Sequence, residues 1–142
     1  MGAVEFDLLF EPKTVTSQQK GVNYQSRRHY TKPEVVKAKK ELAFLLRPYV
    51  PPEPFDCPVA LHTVWRFKRG KTKKDGEYRA TKPDTDNIQK LLKDTMEDLG
   101  FWKDDSRVVD DRCEKIWSDE PGIFVRIMPL PKIREEKEYG TD

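Results

Sequence analysis

The sequence predicts an α+β fold, a two-layer sandwich in which two principal helices cover a mixed or antiparallel sheet of about four to five strands. Two segments carry apolar residues at helical spacing, and four others are rich in alternating, β-branched or aromatic residues. The 142-residue chain can bury one core without disulfides or a structural metal. We expect a single domain over residues 1–131 and a flexible tail over residues 132–142.

The first half of the chain predicts a strand, a loop and a helix. Residues 4–10 begin with alternation and become apolar, as in a strand, before Pro12 ends the pattern. Residues 13–32 are polar and lack periodicity, which favours a loop. A capping-box pattern over residues 31–34, with Pro33 in the first turn, then opens a helix. Its apolar stripe consists of Val35, Ala38, Leu42, Leu45 and Tyr49.

The second half predicts three more strands around a second helix. Residues 59–67 alternate and contain β-branched and aromatic side chains, which indicates a strand. A helix over residues 85–99 is followed by Gly100, a typical C-terminal stop. Residues 107–117 and 123–128 predict two strands joined by a turn-rich hairpin connection. The apolar face of the second helix consists of Ile88, Leu91, Leu92, Thr95, Met96 and Leu99.

Charge is strongly segregated along the chain, although the net charge is only +2. Residues 66–82 contain eight Lys or Arg side chains and two acids, whereas residues 84–120 contain twelve acids and six bases. A basic segment of this density predicts contact with a nucleic-acid backbone. The candidate DNA-binding residues are Arg66, Lys68, Arg69, Lys71, Lys73, Lys74, Arg79 and Lys82, with Arg27 and Arg28 from the earlier polar segment. For Arg27 and Arg28, a solvated basic loop is an equally open interpretation.

Several classes of protein are excluded by the same composition. No apolar run approaches the ~20 residues that a membrane span requires, so we expect no membrane association. The first residues alternate like a strand and do not resemble a signal peptide, so a cytoplasmic protein is expected. Cys57 and Cys113 lack a Cys-x-x-Cys pattern, which leaves little basis for a zinc site and favours two reduced thiols.

Four residues around the second helix predict a phosphodiester-cleaving site. Asp84, Asp86 and Asp105 supply carboxylate oxygens, which suit a hard divalent cation such as Mg²⁺. Lys90 follows Asp86 by four residues, so both project from the helix side opposite the apolar face. An amine beside such a cation can stabilise charge on a phosphate. The positive end of the helix dipole favours the same anionic groups.

Each of these residues also has a plain structural interpretation. Asp84 and Asp86 stand where Asp commonly caps a helix N-terminus. Lys90 can be a simple surface partner of Asp86, worth about 0.2–0.5 kcal/mol. The pair at residues 104–105 can form an ordinary turn. The occurrence of all these residues together, next to the basic segment, favours the catalytic interpretation.

The same residues resemble the RusA family of Holliday junction resolvases, which occur in bacteria and their phages. The similarity is dense over residues 82–117 and thins outside them. Its motif reads Asp-x-Asp-Asn at 84–87, Lys at 90, Gly and two hydrophobic residues at 100–102, and Asp-Asp at 104–105. The Asp-x-Asp-Asn element alone is weak evidence, but the lysine and the Asp-Asp pair at these distances make the motif specific.

The resemblance implies roles for six residues and an activity. The implied activity is hydrolysis of four-way DNA junctions by a homodimer that uses one or two Mg²⁺ ions, with Mn²⁺ as a substitute, in a bacterial or phage-encoded cytoplasmic protein. Two alternatives remain: a nuclease acting on other branched or duplex DNA, and a non-catalytic DNA-binding protein of the same fold. The implied roles are metal-binding catalytic carboxylates for Asp84, Asp86 and Asp105, a catalytic lysine for Lys90, and accessory positions for Asp104 and Asn87.

Overall fold

The computed structural model describes residues 2–13, 20–23, 28–31 and 33–136, with the backbone alone for 20–23 and 28–31. The strands are β1 (Val4–Leu9), β2 (Lys20–Asn23), β3 (Arg28–Thr31), β4 (Val59–Lys68), β5 (Val108–Ser118) and β6 (Gly122–Pro129). The helices are α1 (Pro33–Leu46) and α2 (Thr85–Leu99). Short 3₁₀ turns lie at Arg47–Tyr49 and Asp105–Arg107.

Four strands form one mixed sheet in the order β1-β6-β4-β5. β6 is antiparallel to both β1 and β4, whereas β4 and β5 are parallel. β5 therefore lies at an edge of the sheet, beside the strand that contributes most to the core. With α1 and α2 against the sheet, this arrangement confirms the predicted α+β class.

The core lies between the helices and one face of the sheet. α1 buries Val35, Leu42 and Leu46, and α2 buries a longer apolar face. Along the second half of β4 every second side chain is buried, as expected for a strand with one covered face. The buried face of α2 consists of Ile88, Gln89, Leu91, Leu92, Thr95 and Met96.

Two sequence predictions were wrong. The segment predicted as a loop contains a hairpin, β2–β3, in which Val22 is opposite His29. Polar residues can form such a short two-stranded ribbon without the apolar alternation that marks a core strand. In addition, β5 and β6 are not a hairpin, because β4 lies between them and pairs with both. The connection over residues 119–121 passes across the end of β4 instead.

A close backbone approach fixes where β6 begins. Gly122 has φ +155° and pairs with Leu9 of β1 and Arg66 of β4. A Cβ at this position would clash with the carbonyl oxygen of Leu8 and with the Arg66 guanidinium. Glycine is required here because the chain must cross from β5 to the far side of β4 within three residues.

The remaining sequence predictions concern the thiols and the chain ends. Cys57 and Cys113 are both free, as predicted, and burial raises the pKa of Cys113 to about 11. Residues 132–136 contain no helix or strand, and residues 137–142 lie outside the described residues. Within the described ranges, no helix is long and apolar enough to cross a membrane.

Candidate active site at the start of helix α2

The first residue of the candidate site, Asp84, occupies the N-cap position of α2. Its backbone is extended (φ −73°, ψ 146°), and its carbonyl oxygen accepts hydrogen bonds from the amides of Asn87 and Ile88, both at 3.2 Å. Its side chain makes no capping hydrogen bond. Asp84 is therefore the N-cap residue, as the plain structural interpretation expected, but it does not cap through its side chain, and its carboxylate stays available to a ligand.

Asp86 and Lys90 follow on the exposed side of α2. The Lys90 ammonium lies 3.6 Å from the carboxylate of Asp94, one turn further along, and not against Asp86. Within the described part of the chain, neither Asp84 nor Asp86 has an ion pair or a side-chain hydrogen bond. The interpretation of Lys90 as the surface partner of Asp86 is therefore wrong.

Gln89 fixes the rotation of this helix against the sheet. Its side-chain oxygen accepts hydrogen bonds from Thr63 Oγ1 (2.7 Å) and Trp65 Nε1 (3.3 Å), both on β4. Its amide nitrogen donates to Asp111 Oδ1 (2.9 Å) and to the carbonyl of Arg112 (3.3 Å) on β5. A buried primary amide with all four hydrogen bonds satisfied holds one orientation. Because Gln89 lies between Asp86 and Lys90 in the chain, it also sets the direction of their side chains.

The same network continues to a second lysine. Lys93 Nζ donates to Asp111 Oδ2 at 2.7 Å, so Asp111 joins Gln89 and Lys93 to the edge strand β5. Sequence reasoning missed Gln89, Lys93 and Asp111. A helical wheel would have revealed Gln89, because it lies in line with Leu92 and Met96 at spacings of three and seven residues. Asp111 has no such signal, since its contact depends on strand pairing.

Asp105 lies near the other end of α2. The helix ends at Gly100 in the left-handed conformation (φ 89°), and the buried Phe101 and Trp102 follow. Trp102 Nε1 donates to Asp105 Oδ1 at 2.9 Å, and the Asp105 amide donates to Glu97 Oε1 at 2.6 Å. The half-buried Asp105 is thus held against the last turns of α2.

The surroundings of Asp105 are acidic. Burial raises the pKa of its carboxyl group, and the negative charges of Glu97 and Asp94 raise it further. The Trp102 hydrogen bond and Lys93 oppose this shift. An excess of carboxylate oxygens around a partly buried acid is the condition that a bound cation would relieve.

Asp104 has a structural role in the following turn. Its side chain accepts hydrogen bonds from the amide and the hydroxyl of Ser106, which caps the 3₁₀ turn and lowers the pKa of Asp104. Arg107 in this turn pairs with Asp56 at 2.8 Å. The turn interpretation therefore holds for Asp104, whereas Asp105 beside it points to Trp102.

The structure brings the candidate residues to one helix but not into one compact cluster. Over the described residues, no group of three or more His, Cys, Asp or Glu side chains is arranged to hold a metal ion. Asp105 contacts Glu97 and lies near Asp94, and Asp94 follows Asp86 by eight residues, about 12 Å along the helix axis. The donor set still fits Mg²⁺ by its chemistry, since it offers only carboxylate oxygens with an amine beside them. The catalytic and metal-binding roles of these residues stay predictions.

Some of the predicted DNA-binding side chains form ion pairs or hydrogen bonds within the fold, and others do not. Arg66, only 15% exposed, pairs with Asp7 at 2.8 Å and donates to the carbonyl of Glu120. Arg69 binds Asp119 and the carbonyl of Lys73, so it stabilises the basic loop itself.

Other basic side chains have weaker partners or none. Lys73 lies 3.6 Å from Glu77, and Lys68 donates to a carbonyl oxygen at 3.3 Å. Lys71, Lys74 and Lys82 are exposed and have no side-chain partner among the described residues. Arg27 lies outside the described residues, and Arg28 belongs to β3, where only the backbone is described.

Comparison with known proteins agrees with the motif. The sequence profile of the family described as endodeoxyribonuclease RusA matches residues 10–128. The chain is also 43% identical over 60 residues to the uncharacterized protein YqaN of Bacillus subtilis (strain 168). That alignment covers 42% of this chain and 42% of the length of YqaN.

Proposed function

Because the chain belongs to the endodeoxyribonuclease RusA family, we propose that it is a Mg²⁺-dependent, structure-selective endonuclease that resolves four-way DNA junctions by paired phosphodiester hydrolysis. Such an activity serves DNA recombination and repair. The proposed location of the protein is the bacterial cytoplasm. Its gene would belong to a bacterium or to a phage.

The observation that carries this proposal is the group of unpaired or weakly paired charges at the start of α2. Asp84 and Asp86 are exposed carboxylates without a described partner, and Lys90 stands one turn away. Asp84 stands at the N-cap without capping through its side chain, although side-chain capping is the usual role of Asp at this position. Two acids without a described partner, with an amine one turn away that has only a weak partner in Asp94, suit a cation and a phosphate beside the helix N-terminus.

The roles of the side chains follow from their charge and position. Asp84, Asp86 and Asp105 would hold the metal through carboxylate oxygens. When bound, Mg²⁺ supplies charge neutralisation and activation of the attacking water. The Lys90 ammonium would donate to a non-bridging or leaving oxygen of the cleaved phosphate as negative charge develops on it. The network around Gln89 keeps the helix side that carries Asp86 and Lys90 directed outward.

A homodimer is part of the proposal. A four-way junction is nearly two-fold symmetric, and two strands must be cut, so a two-fold pair of identical sites matches the substrate. Sedimentation equilibrium should give a particle of twice the 16.7 kDa chain mass. A monomer that resolves junctions with paired cuts would contradict the homodimer.

The central test compares a synthetic four-way junction with a matched linear duplex, each with Mg²⁺ or with chelator. The protein should cut the junction in the presence of Mg²⁺ and leave both substrates intact with chelator. Asp86→Asn should abolish cleavage while junction binding stays equal or becomes tighter, because one negative charge beside the phosphates is removed.

Asp98→Asn is the matched control. Asp98 lies on the same helix but pairs with Lys39 of α1, away from the candidate site. Its variant should cut at the parent rate. If Asp86→Asn cuts as fast as Asp98→Asn, the assigned site is wrong. Equal cutting of junction and duplex would instead favour a nuclease of broader specificity, and binding without cleavage would favour a non-catalytic DNA-binding protein.

A further inference from the structure

Arg79 is held in an aromatic sandwich at one end of the sheet. Its guanidinium carbon lies 4.4 Å from the ring centre of Phe67 on β4 and 4.5 Å from that of Trp117 on β5. Its Nε is buried and has no hydrogen-bond partner among the described residues. Burial also lowers the pKa of the guanidinium. A buried donor without a partner is unfavourable, so hydrogen bonds within the described fold do not account for the position of Arg79.

An open pocket of about 500 Å³ adjoins this guanidinium. Lys13, which follows β1, is exposed and has no side-chain partner in the described part of the chain. Lys68 makes a single weak contact, to a carbonyl oxygen at 3.3 Å. The pocket thus combines three cationic side chains with one acid. Its lining residues are Glu11, Pro12, Lys13, Phe67, Lys68 and Arg79.

The pocket lies next to the start of α2. Phe67 and Trp117 are paired in register, two residues beyond the pair formed by Trp65 and Lys115. Trp65 contacts α2 through Gln89, and side chains two residues apart share a face of the sheet, so Phe67 faces the same way.

A second contact links this end of the sheet to the candidate site. Lys115 Nζ donates to the carbonyl of Pro83 at 2.7 Å, directly before Asp84. Two strand residues span about 7 Å. The aromatic pair that holds Arg79 therefore lies about 7 Å along the strands from Lys115, whose side chain reaches the residues that precede Asp84.

We propose that this pocket, formed by Arg79, Lys13 and Lys68, binds a backbone phosphate of the DNA beside the phosphate that is cleaved. The inference rests on the proposed function and adds a specific subsite to it. A phosphate offers several acceptor oxygens to the planar guanidinium fork, and the two ammonium groups supply further charge. The aromatic rings hold Arg79 in advance, so little side-chain entropy is lost when the phosphate binds.

The test measures junction binding in the presence of chelator, so that cleavage does not interfere. Arg79→Gln should weaken binding by about tenfold, as expected for a charge-assisted contact. It should also lower the slope of log affinity against log salt by about 0.9, the value for one neutralised phosphate. The double variant Lys13→Gln/Lys68→Gln should lower the slope in the same way without touching the aromatic sandwich. Lys37→Gln on α1, an exposed lysine without a described partner, is the matched control for lost positive charge.

Neutral methylphosphonate linkages, placed one at a time beside the cleaved bond, identify the phosphate concerned. The parent protein should lose affinity at one such position, and Arg79→Gln should lose nothing further there. If Arg79→Gln and the lysine pair both behave like Lys37→Gln, or if the methylphosphonate effect adds fully to the Arg79 effect, the pocket does not bind a phosphate. Cleavage of the junction by the parent protein in Mg²⁺ shows independently that the proposed function stands. A parent protein that neither binds nor cuts would overturn the function itself.

Discussion

At the scale of single residues, the candidate site combines two carboxylates without a partner among the described residues, Asp84 and Asp86, with a weakly paired lysine, Lys90. Lys90 has only Asp94, at 3.6 Å on an exposed helix surface, with 51% of the lysine side chain accessible. Such an i,i+4 pair contributes about 0.2–0.5 kcal/mol. A charge-assisted hydrogen bond to phosphate is worth roughly 1.5–3 kcal/mol, so an arriving phosphate readily displaces Asp94.

Lys90→Gln is therefore expected to slow junction cleavage about 10²–10³-fold, the loss typical of one group that stabilises developing charge. Junction binding should weaken much less, because the other phosphates along the DNA keep their cationic partners. Single-turnover cleavage at saturating protein separates the chemical rate from binding.

Lys37→Gln again serves as the control, since it removes the same charge from exposed α1. If Lys90→Gln loses rate only in proportion to its weaker affinity, Lys90 contributes general electrostatic attraction and not catalysis.

At the scale of elements, α2 packs against the sheet through an apolar face that also contains one buried amide, Gln89. Ile88, Leu92 and Met96 direct the apolar face of the helix toward the sheet, but because apolar contacts are non-directional they leave a range of rotations open and do not select one. Gln89 does select one, through hydrogen bonds to both β4 and β5. The apolar face of α2 thus turns the candidate site toward solvent, and the buried amide fixes its direction.

Replacing this anchor by an apolar side chain of similar size, Gln89→Met, should lower the free energy of unfolding by about 1–3 kcal/mol, because the donors of Thr63 and Trp65 would stay buried without their acceptor. Junction cleavage by the folded variant should also fall, while DNA affinity changes little, since no positive charge is removed. Urea denaturation and single-turnover cleavage are the two measurements.

Thr95→Val on the same helix is the matched control for that variant. It removes one buried hydrogen bond, from Thr95 Oγ1 to the carbonyl of Leu91 at 2.8 Å, and should cost about 0.5–1.5 kcal/mol without affecting cleavage. Equal stability and equal cleavage of the two variants would show that Gln89 does not position the site.

At the scale of the whole molecule, only some of the basic side chains of residues 66–82 are available for binding DNA. Of the basic segment, Arg66 and Arg69 are engaged with acids of the fold. Lys71, Lys74 and Lys82 have no side-chain partner in the described ranges. These three, with the pocket around Arg79, form the surface that we expect to contact the DNA backbone.

The double variant Lys71→Gln/Lys74→Gln should weaken junction and duplex binding alike, because phosphate contacts carry no sequence information. The slope of log affinity against log salt should fall by about 0.9 for each phosphate that is no longer neutralised. Fluorescence anisotropy over a salt series gives both values. Lys103→Gln is the control, because it removes a lysine already paired with Asp56 at 3.3 Å. An equal slope for the two variants would show that Lys71 and Lys74 do not contact the DNA backbone.

Elements with strong local patterns could be predicted closely from the sequence. The second helix was predicted over residues 85–99, and α2 spans Thr85–Leu99 with the stop at Gly100. Its start, its amphipathic period and its left-handed cap all depend on neighbouring residues. The β2–β3 hairpin was missed because its short polar strands have no apolar alternation to produce a period.

What the sequence alone determined was therefore the class of fold, the ends of α2 and the candidate residues Asp84, Asp86, Lys90 and Asp105. These depend on local periodicity and on a spaced motif, both of which can be read along one chain. Only the tertiary structure decided that β4 separates β5 from β6, and that Gln89 anchors the helix through Asp111. It also decided that Arg79 is held between Phe67 and Trp117. Those contacts join residues that are far apart in the chain. Strand order and burial create them, so no local sequence pattern predicts them.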